Sequence, residues 1–280
     1  MRAFLLRLWE TWLGEPLRKV EAESLAYRFS DAGRRIDWKT PVVLLTAAAA
    51  LTLQNYTANP TQVASVVRFV VNAVSGPVAA AEVETTLREW GGHQIIRLVW
   101  WAGVSVLTYA FLPFLVLKLA FRAKLTDYGL KVRGVLRAWP LYVLFVAVMA
   151  PIVWVCSSED RFQQTYPFVR FGSPEEVREN LWKWELPYAA QFVALEFFFR
   201  GFIIHGTKHR FGVYSVFVST VPYVLIHFGK PMPEAVASIV AGVVLGYMSL
   251  ATRSVWLGAA LHIGVAWSMD AACLARRGLI

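Results

Sequence analysis

The 280-residue chain is 57% hydrophobic and only 17% charged, with a formal charge of +9. That balance excludes an ordinary soluble domain and fits a polytopic membrane protein. It also argues against a nucleic-acid reader, because the basic residues flank apolar stretches, where they set topology and meet anionic lipid, and form no stripe interleaved with stacking aromatics.

Residues 1–39 read as a cytoplasmic segment. From Arg2 to Leu13 basic and apolar residues recur at helical spacing, which predicts an amphipathic helix in the headgroup region. The segment lacks the apolar core and small-residue cleavage site of a signal peptide and is read as retained. Seven later stretches are long enough to cross the hydrocarbon layer, with cores at 41–58, 95–120, 138–157, 186–207, 211–229, 234–252 and 255–272. Between the first two, Val63–Val74 is amphipathic and Ala81–Trp90 is polar, so 62–90 reads as one or two surface helices. In the loop at 158–184, Pro174–Trp182 predicts a short helix capped by Ser173.

The expected fold is all-α, a transmembrane bundle of about seven spans. Residues 40–122 hold the first two spans with the helical insert, and 123–280 hold the core. Arg18, Lys19, Arg28, Arg34, Arg35 and Lys39, with Arg2 and Arg7, precede the first span. Lys118, Arg122, Lys124, Lys131, Arg133 and Arg137 follow the second. The positive-inside rule therefore puts the N-terminus in the cytoplasm and the protein in the plasma (inner) membrane, although Arg276 and Arg277 fall on the opposite side. Cys156 and Cys273 have no metal-ligand spacing and read as unpaired thiols, with a disulfide between them as the alternative.

The chemistry lies in a few ionisable residues inside these spans. A charge at the bilayer centre costs roughly 2.5–3.5 kcal/mol on insertion scales, so such residues mark function. Glu196 and Arg200 are four apart and share a helix face. Tyr223 and His227 do the same on the fifth span, and His262 lies in the seventh. At about 1.5 Å per residue, Glu196 and His227 both come out about 20 Å deep and His262 about 10 Å, within a few ångströms of reach when its helix tilts. His205 and His209 read as interfacial, and His93 has no evident partner. A structural ion pair and packing histidines are the plainer alternative. A carboxylate in an apolar pocket beside a guanidinium can act as a base near neutral pH, and an imidazole can orient water or donate to an oxyanion. Glu196, His227 and His262 could in principle bind zinc. Their placement on separate helices does not favour a metal over a bare water, and no cofactor is expected.

These residues resemble the motifs of the CAAX-protease and bacteriocin-processing (CPBP, or Abi) family of intramembrane endopeptidases. Leu195–Arg200, followed by Gly201, is similar to the family's Glu-Glu-x-x-x-Arg, Tyr223–His227 to Phe-x-x-x-His, and His262–Ala266 to His-x-x-x-Asn. Order, spacing and placement on successive spans agree over roughly 125–270. Leu195 replaces the first Glu, which in members carrying both is the one assigned to water activation. Ala266 replaces the Asn of an oxyanion hole. The resemblance implies an endopeptidase acting on a membrane-anchored protein or peptide, with Glu196 as general base, His227 orienting water, His262 as oxyanion or substrate-polarising donor and Arg200 orienting Glu196. Tyr223 is the candidate to supply the hydrogen bond that Ala266 lacks. The alternative is a catalytically silent relative, a membrane scaffold or immunity protein that binds a peptide or protein partner. A proton-coupled transporter is disfavoured by the absence of inverted-repeat signals.

Overall fold

A computed structural model describes residues 9–132 and 139–280. Eight residues of the expected N-terminal amphipathic segment, among them Arg2 and Arg7, and also Arg133 and Arg137, lie outside the described residues. Within them the chain is helical, and the one β-bridge pairs Leu130 with Ser254.

Helix α1 (Glu15–Phe29) does not lie free. Val20 packs with Ile204, Val216 and Leu250, Glu21 accepts a hydrogen bond from the Val213 amide (3.1 Å), and Glu23 pairs with Arg253 (2.7 Å). This half of the N-terminal segment therefore docks on one end of the bundle. Helix α2 (Lys39–Thr57) starts where the Asp37 carboxylate accepts from the Lys39 and Thr40 amides, satisfying orphan donors of the first turn. Its Gln54 donates to Ser105 and accepts from Thr108, a buried polar tie to the helix that carries them.

The insert forms two helices, α3 (Pro60–Ser75) and α4 (Pro77–Gly92), joined at Gly76, whose φ of +86° makes the sharp reversal. Helix α5 (Gln94–Ala120) follows and, after the gap in the described residues, α6 (Trp139–Cys156). Ser173 caps α7 as expected, but α7 is not short: it runs Pro174–Glu196 and passes through a π-turn, Phe197–Ile204, into α8 (His205–Phe211). Gly212, at φ +56°, breaks the run. Helices α9 (Ser215–Leu225), α10 (Met232–Thr252) and α11 (Trp256–Arg276) complete the chain.

Four helical runs among the described residues are long and apolar enough to cross a membrane: α5, the run Pro174–Leu225, α10 and α11. Tyr142–Cys156 is apolar but shorter. The difference from seven has physical causes. Pro174–Leu225 counts as one run although Gly212 turns the chain inside it, between the two spans expected at 186–207 and 211–229, and α2 dilutes its apolar residues with Thr and Gln. Arg276 donates to Ser157 and the Trp154 carbonyl, and Arg277 to Gln163 and the Tyr166 carbonyl, so the arginines that run against the charge rule are bound to the loop beside them. Both cysteines are free thiols.

At the centre, Phe198, Phe199 and Phe202 of the π-turn pack with Val43, Tyr109, Leu117 and Tyr223. A Cβ on Gly201 would sit 2.6 Å from the Tyr128 carbonyl oxygen, so glycine is what lets the 125–130 loop cross the π-turn.

Candidate active site

The π-turn begins one residue after Glu196 and contains Arg200. Such wide turns leave carbonyls poorly paired and recur at functional sites. Here two serines from facing helices supply donors: Ser219 of α9 to the Phe199 carbonyl (2.8 Å) and Ser249 of α10 to the Arg200 carbonyl (3.1 Å). Ser249 is in turn held by His205, whose other ring nitrogen meets Lys208. His205 is buried, not interfacial as its position near basic residues suggested.

Glu196 is fully buried and Arg200 nearly so. Glu196 Oε1 lies 3.1 Å from Arg200 Nη1, an ion pair without the alignment of a hydrogen bond. The same oxygen accepts from His262 Nδ1–H at 2.7 Å. The acceptor-only carboxylate fixes the imidazole tautomer, so His262 Nε2 is the acceptor for the Tyr223 hydroxyl at 2.9 Å. Phe192, one turn before Glu196 on α7, stacks on the His262 ring with centroids 5.1 Å apart and planes 11° apart. The Tyr223 ring lies 4.0 Å from the Arg200 guanidinium carbon, a cation–π contact that holds the cation where hydrogen bonds do not.

Glu196 Oε2 is buried and has no hydrogen-bond partner, and neither do the two Arg200 η-nitrogens. Opposite them is Gly258 of α11, where a Cβ would come within 2.4 Å of Oε2. Unpaired buried polar atoms are rare in folded proteins, so Oε2 and the guanidinium are the groups of this cluster with capacity for a further polar partner.

Four of the five expected residues, Glu196, Arg200, Tyr223 and His262, are thus in direct contact, and His227 is one step removed. α9 stops at Leu225, and His227 lies in the turn beyond it, its Nδ1–H donating to the Tyr223 carbonyl (2.8 Å) and its ring against Tyr223 (4.7 Å). That bond leaves His227 Nε2 as a free acceptor. His262, expected to be shallower, is the histidine that bonds Glu196. A count along straight helices misses the end of α9 at Leu225.

The departures from the family motifs also have places. Leu195 is buried in the central apolar cluster, and Ala266 packs with Val169, Trp184 and Tyr188. No three His, Cys, Asp or Glu side chains converge in a metal-binding arrangement among the described residues.

Two polar groups went unread in the sequence. Asp270 lies in the same helix as His262, two turns on, and is buried with Oδ2 accepting from Trp184 Nε1 (3.0 Å). Its only signal was an aspartate inside an apolar stretch. Tyr166 is buried and its hydroxyl meets both Glu234 oxygens (2.9 and 2.8 Å), with Lys230 on the same carboxylate. Burial above all, with the Glu234 charge adding to it, pushes the Tyr166 phenol well above its ordinary pKa, so it stays a donor. These partners are 68 residues apart, and no local pattern pairs them.

Residues 178–268 match the family model described as Rce1-like, type II CAAX prenyl endopeptidase Rce1-like. The match covers about a third of the chain and includes Glu196, Arg200, Tyr223, His227 and His262. It supports the similarity to CPBP proteases. No curated protein and no solved structure matches the chain.

Proposed function

We propose that this protein is an intramembrane endopeptidase that hydrolyses a peptide bond of a membrane-associated protein or peptide, using water activated by Glu196. The similarity of residues 178–268 to type II CAAX prenyl endopeptidases supports the reaction class. The observation that carries the residue assignment is the asymmetry of the carboxylate: Oε1 is taken by His262 and Arg200, while Oε2 is buried and unpaired.

In this reading a water sits on Oε2 beside the Arg200 guanidinium. Oε2 takes a proton from it, and the oxygen attacks the scissile carbonyl. His227 Nε2, free because Nδ1–H is committed to the Tyr223 carbonyl, accepts the second water hydrogen and orients the attack. Glu196 then passes its proton to the leaving amine, so the sum is one water consumed and one carboxyl and one amine released. The geometry favours a positioning task for His262, holding Oε1 so that Oε2 faces the water. Tyr223 is the nearby hydroxyl that can turn from His262 Nε2 to the developing oxyanion, in place of the amide that Ala266 lacks. Arg200 supplies the counter-charge beside the buried carboxylate. The set needs no metal: Glu196 and His262 together are fewer than the three protein ligands of a catalytic zinc.

Mass spectrometry of membrane peptides from cells carrying the wild-type or the Glu196→Gln protein tests the activity. Cleavage products confined to the wild type are expected. Identical peptide sets would instead favour the scaffold or immunity reading.

A further inference from the structure

The α3–α4 hairpin presents an apolar surface that no packing among the described residues covers. With ~100° per residue, Val66, Phe69, Val70 and Val74 fall within one sector of α3. Each is more than half exposed, and Val78 extends the patch into α4. A different face of α3, with Ala64 buried, packs on α4. The polar side is closed on itself: Arg68 and Arg88 both pair with Glu84 at 2.7 Å. α3 is therefore apolar on two sides, of which the fold uses one. Exposed patches of this kind mark a surface made for a partner.

The connections place that partner. Only Ala58 and Asn59 separate α2 from α3, and only His93 separates α4 from α5, a helix long and apolar enough to span. Both feet of the hairpin are thus tied to helix ends at one margin of the bundle. The neighbouring surface is also uncovered and apolar, with Leu45, Leu53 and Tyr56 on α2 and Ile96 and Val99 on α5. Trp90 and Trp100 pack together at the α4–α5 corner, and Trp100 Nε1 donates to the Thr57 carbonyl at the end of α2. Tryptophan and tyrosine concentrate at the headgroup level of membrane proteins, which sets the hairpin base at that depth. Each arm is 16 residues, about 24 Å, long enough to lie along a membrane surface.

We propose that the hairpin lies on the bilayer at this margin, with Val66, Phe69, Val70, Val74 and Val78 seated among the acyl chains and the Arg68–Glu84–Arg88 cluster towards water. It extends the lipid-facing surface of the bundle sideways, and it rests on the reading of α5 as a membrane helix. The hairpin carries Arg68 and Arg88 against Glu82, Glu84 and Glu89, so it has no basic surplus. Its attachment is apolar, unlike that of basic surface helices, and is indifferent to anionic lipid.

The test uses the full chain with Cys156 replaced by Ser, reconstituted in phosphatidylcholine vesicles whose acyl chains are brominated near the headgroups. Single variants Val70→Cys, Asn72→Cys and Val99→Cys carry an environment-sensitive fluorophore. Val70 and Asn72 sit on roughly opposite faces of α3. Quenching of the label at 70 is expected to exceed that at 72 several-fold, and to stay unchanged when a third of the lipid is made phosphatidylglycerol. Equal quenching at 70 and 72, with 99 quenched, overturns the proposal while leaving α5 in the membrane. Absence of quenching at 99 would instead remove the membrane reading on which the proposal rests. Protection at 70 that grows with protein-to-lipid ratio, without quenching, would mean that a second copy covers this face and would overturn the lipid assignment.

Discussion

The side chains around Glu196 make different sets of contacts, so single substitutions have distinct expected effects. Tyr223→Phe removes the donor to His262 Nε2 and the candidate oxyanion donor together, and keeps the ring over Arg200. Loss of one such donor lowers turnover by about 10²–10³. Peptide turnover should fall by that order in Tyr223→Phe, with the thermal unfolding midpoint nearly unchanged. Unaltered turnover would leave Tyr223 as packing. Gly258→Ala is the complementary test, because the added methyl would meet Glu196 Oε2 within 2.4 Å. Overpacking of this kind costs about 1–3 kcal/mol. The variant should fold with reduced stability and lose most of its activity, as read by unfolding in detergent and by product formation. Full activity would show that Oε2 is not the atom that holds the water.

At the level of elements, the α7 π-turn decides where Arg200 points. Its carbonyls at Phe199 and Arg200 depend on Ser219 and Ser249 from two other helices. A hydrogen bond of this kind contributes about 0.5–1.5 kcal/mol. Ser219→Ala and Ser249→Ala should each destabilise by about 1 kcal/mol in detergent unfolding, and the double variant should lose more activity than stability as the turn relaxes towards an α-helix. Activity that simply tracks the folded fraction would make these serines packing residues.

The sequence anticipated some of these elements. The helix bounds at 41–58, 95–120, 234–252 and 255–272 were close to observation because apolar runs of that length have few alternatives, and the 62–90 insert was readable from its amphipathic and polar halves. The i, i+4 pairs Glu196–Arg200 and Tyr223–His227 were legible because they lie within single helical stretches. The π-turn was not, since it is selected by donors about 20 and 49 residues away. Nor was the choice of His262 over His227 as the partner of Glu196, which depends on how α7 and α11 cross. Asp270 was in plain view, but its role appears only once Trp184 of α7 is brought against it.

For the whole molecule, the two ends of the bundle are fastened differently. At one end α1 packs through Val20, Glu21 and Glu23 onto the turns at 212–213 and 253. At the other, the C-terminal arginines and the Tyr166–Glu234 pair tie the 157–170 loop to α10 and α11. The cluster around Glu196 lies between these fastenings, on α7, α9 and α11, so its geometry depends on how the helices are held together. A loss of function after a charge change at Glu196 can therefore reflect either lost chemistry or a loosened bundle. Breaking a buried ion pair by removing one partner costs about 3–5 kcal/mol, whereas removing both charges is often close to neutral. The decisive measurement compares cleavage products and unfolding midpoints for Glu196→Gln and for Glu196→Gln combined with Arg200→Met. If Glu196 is the base, the single variant is destabilised and inactive, and the double variant recovers the midpoint and remains inactive. A double variant that is folded and still releases the wild-type products would contradict the assignment and reduce Glu196 and Arg200 to a tie between helices.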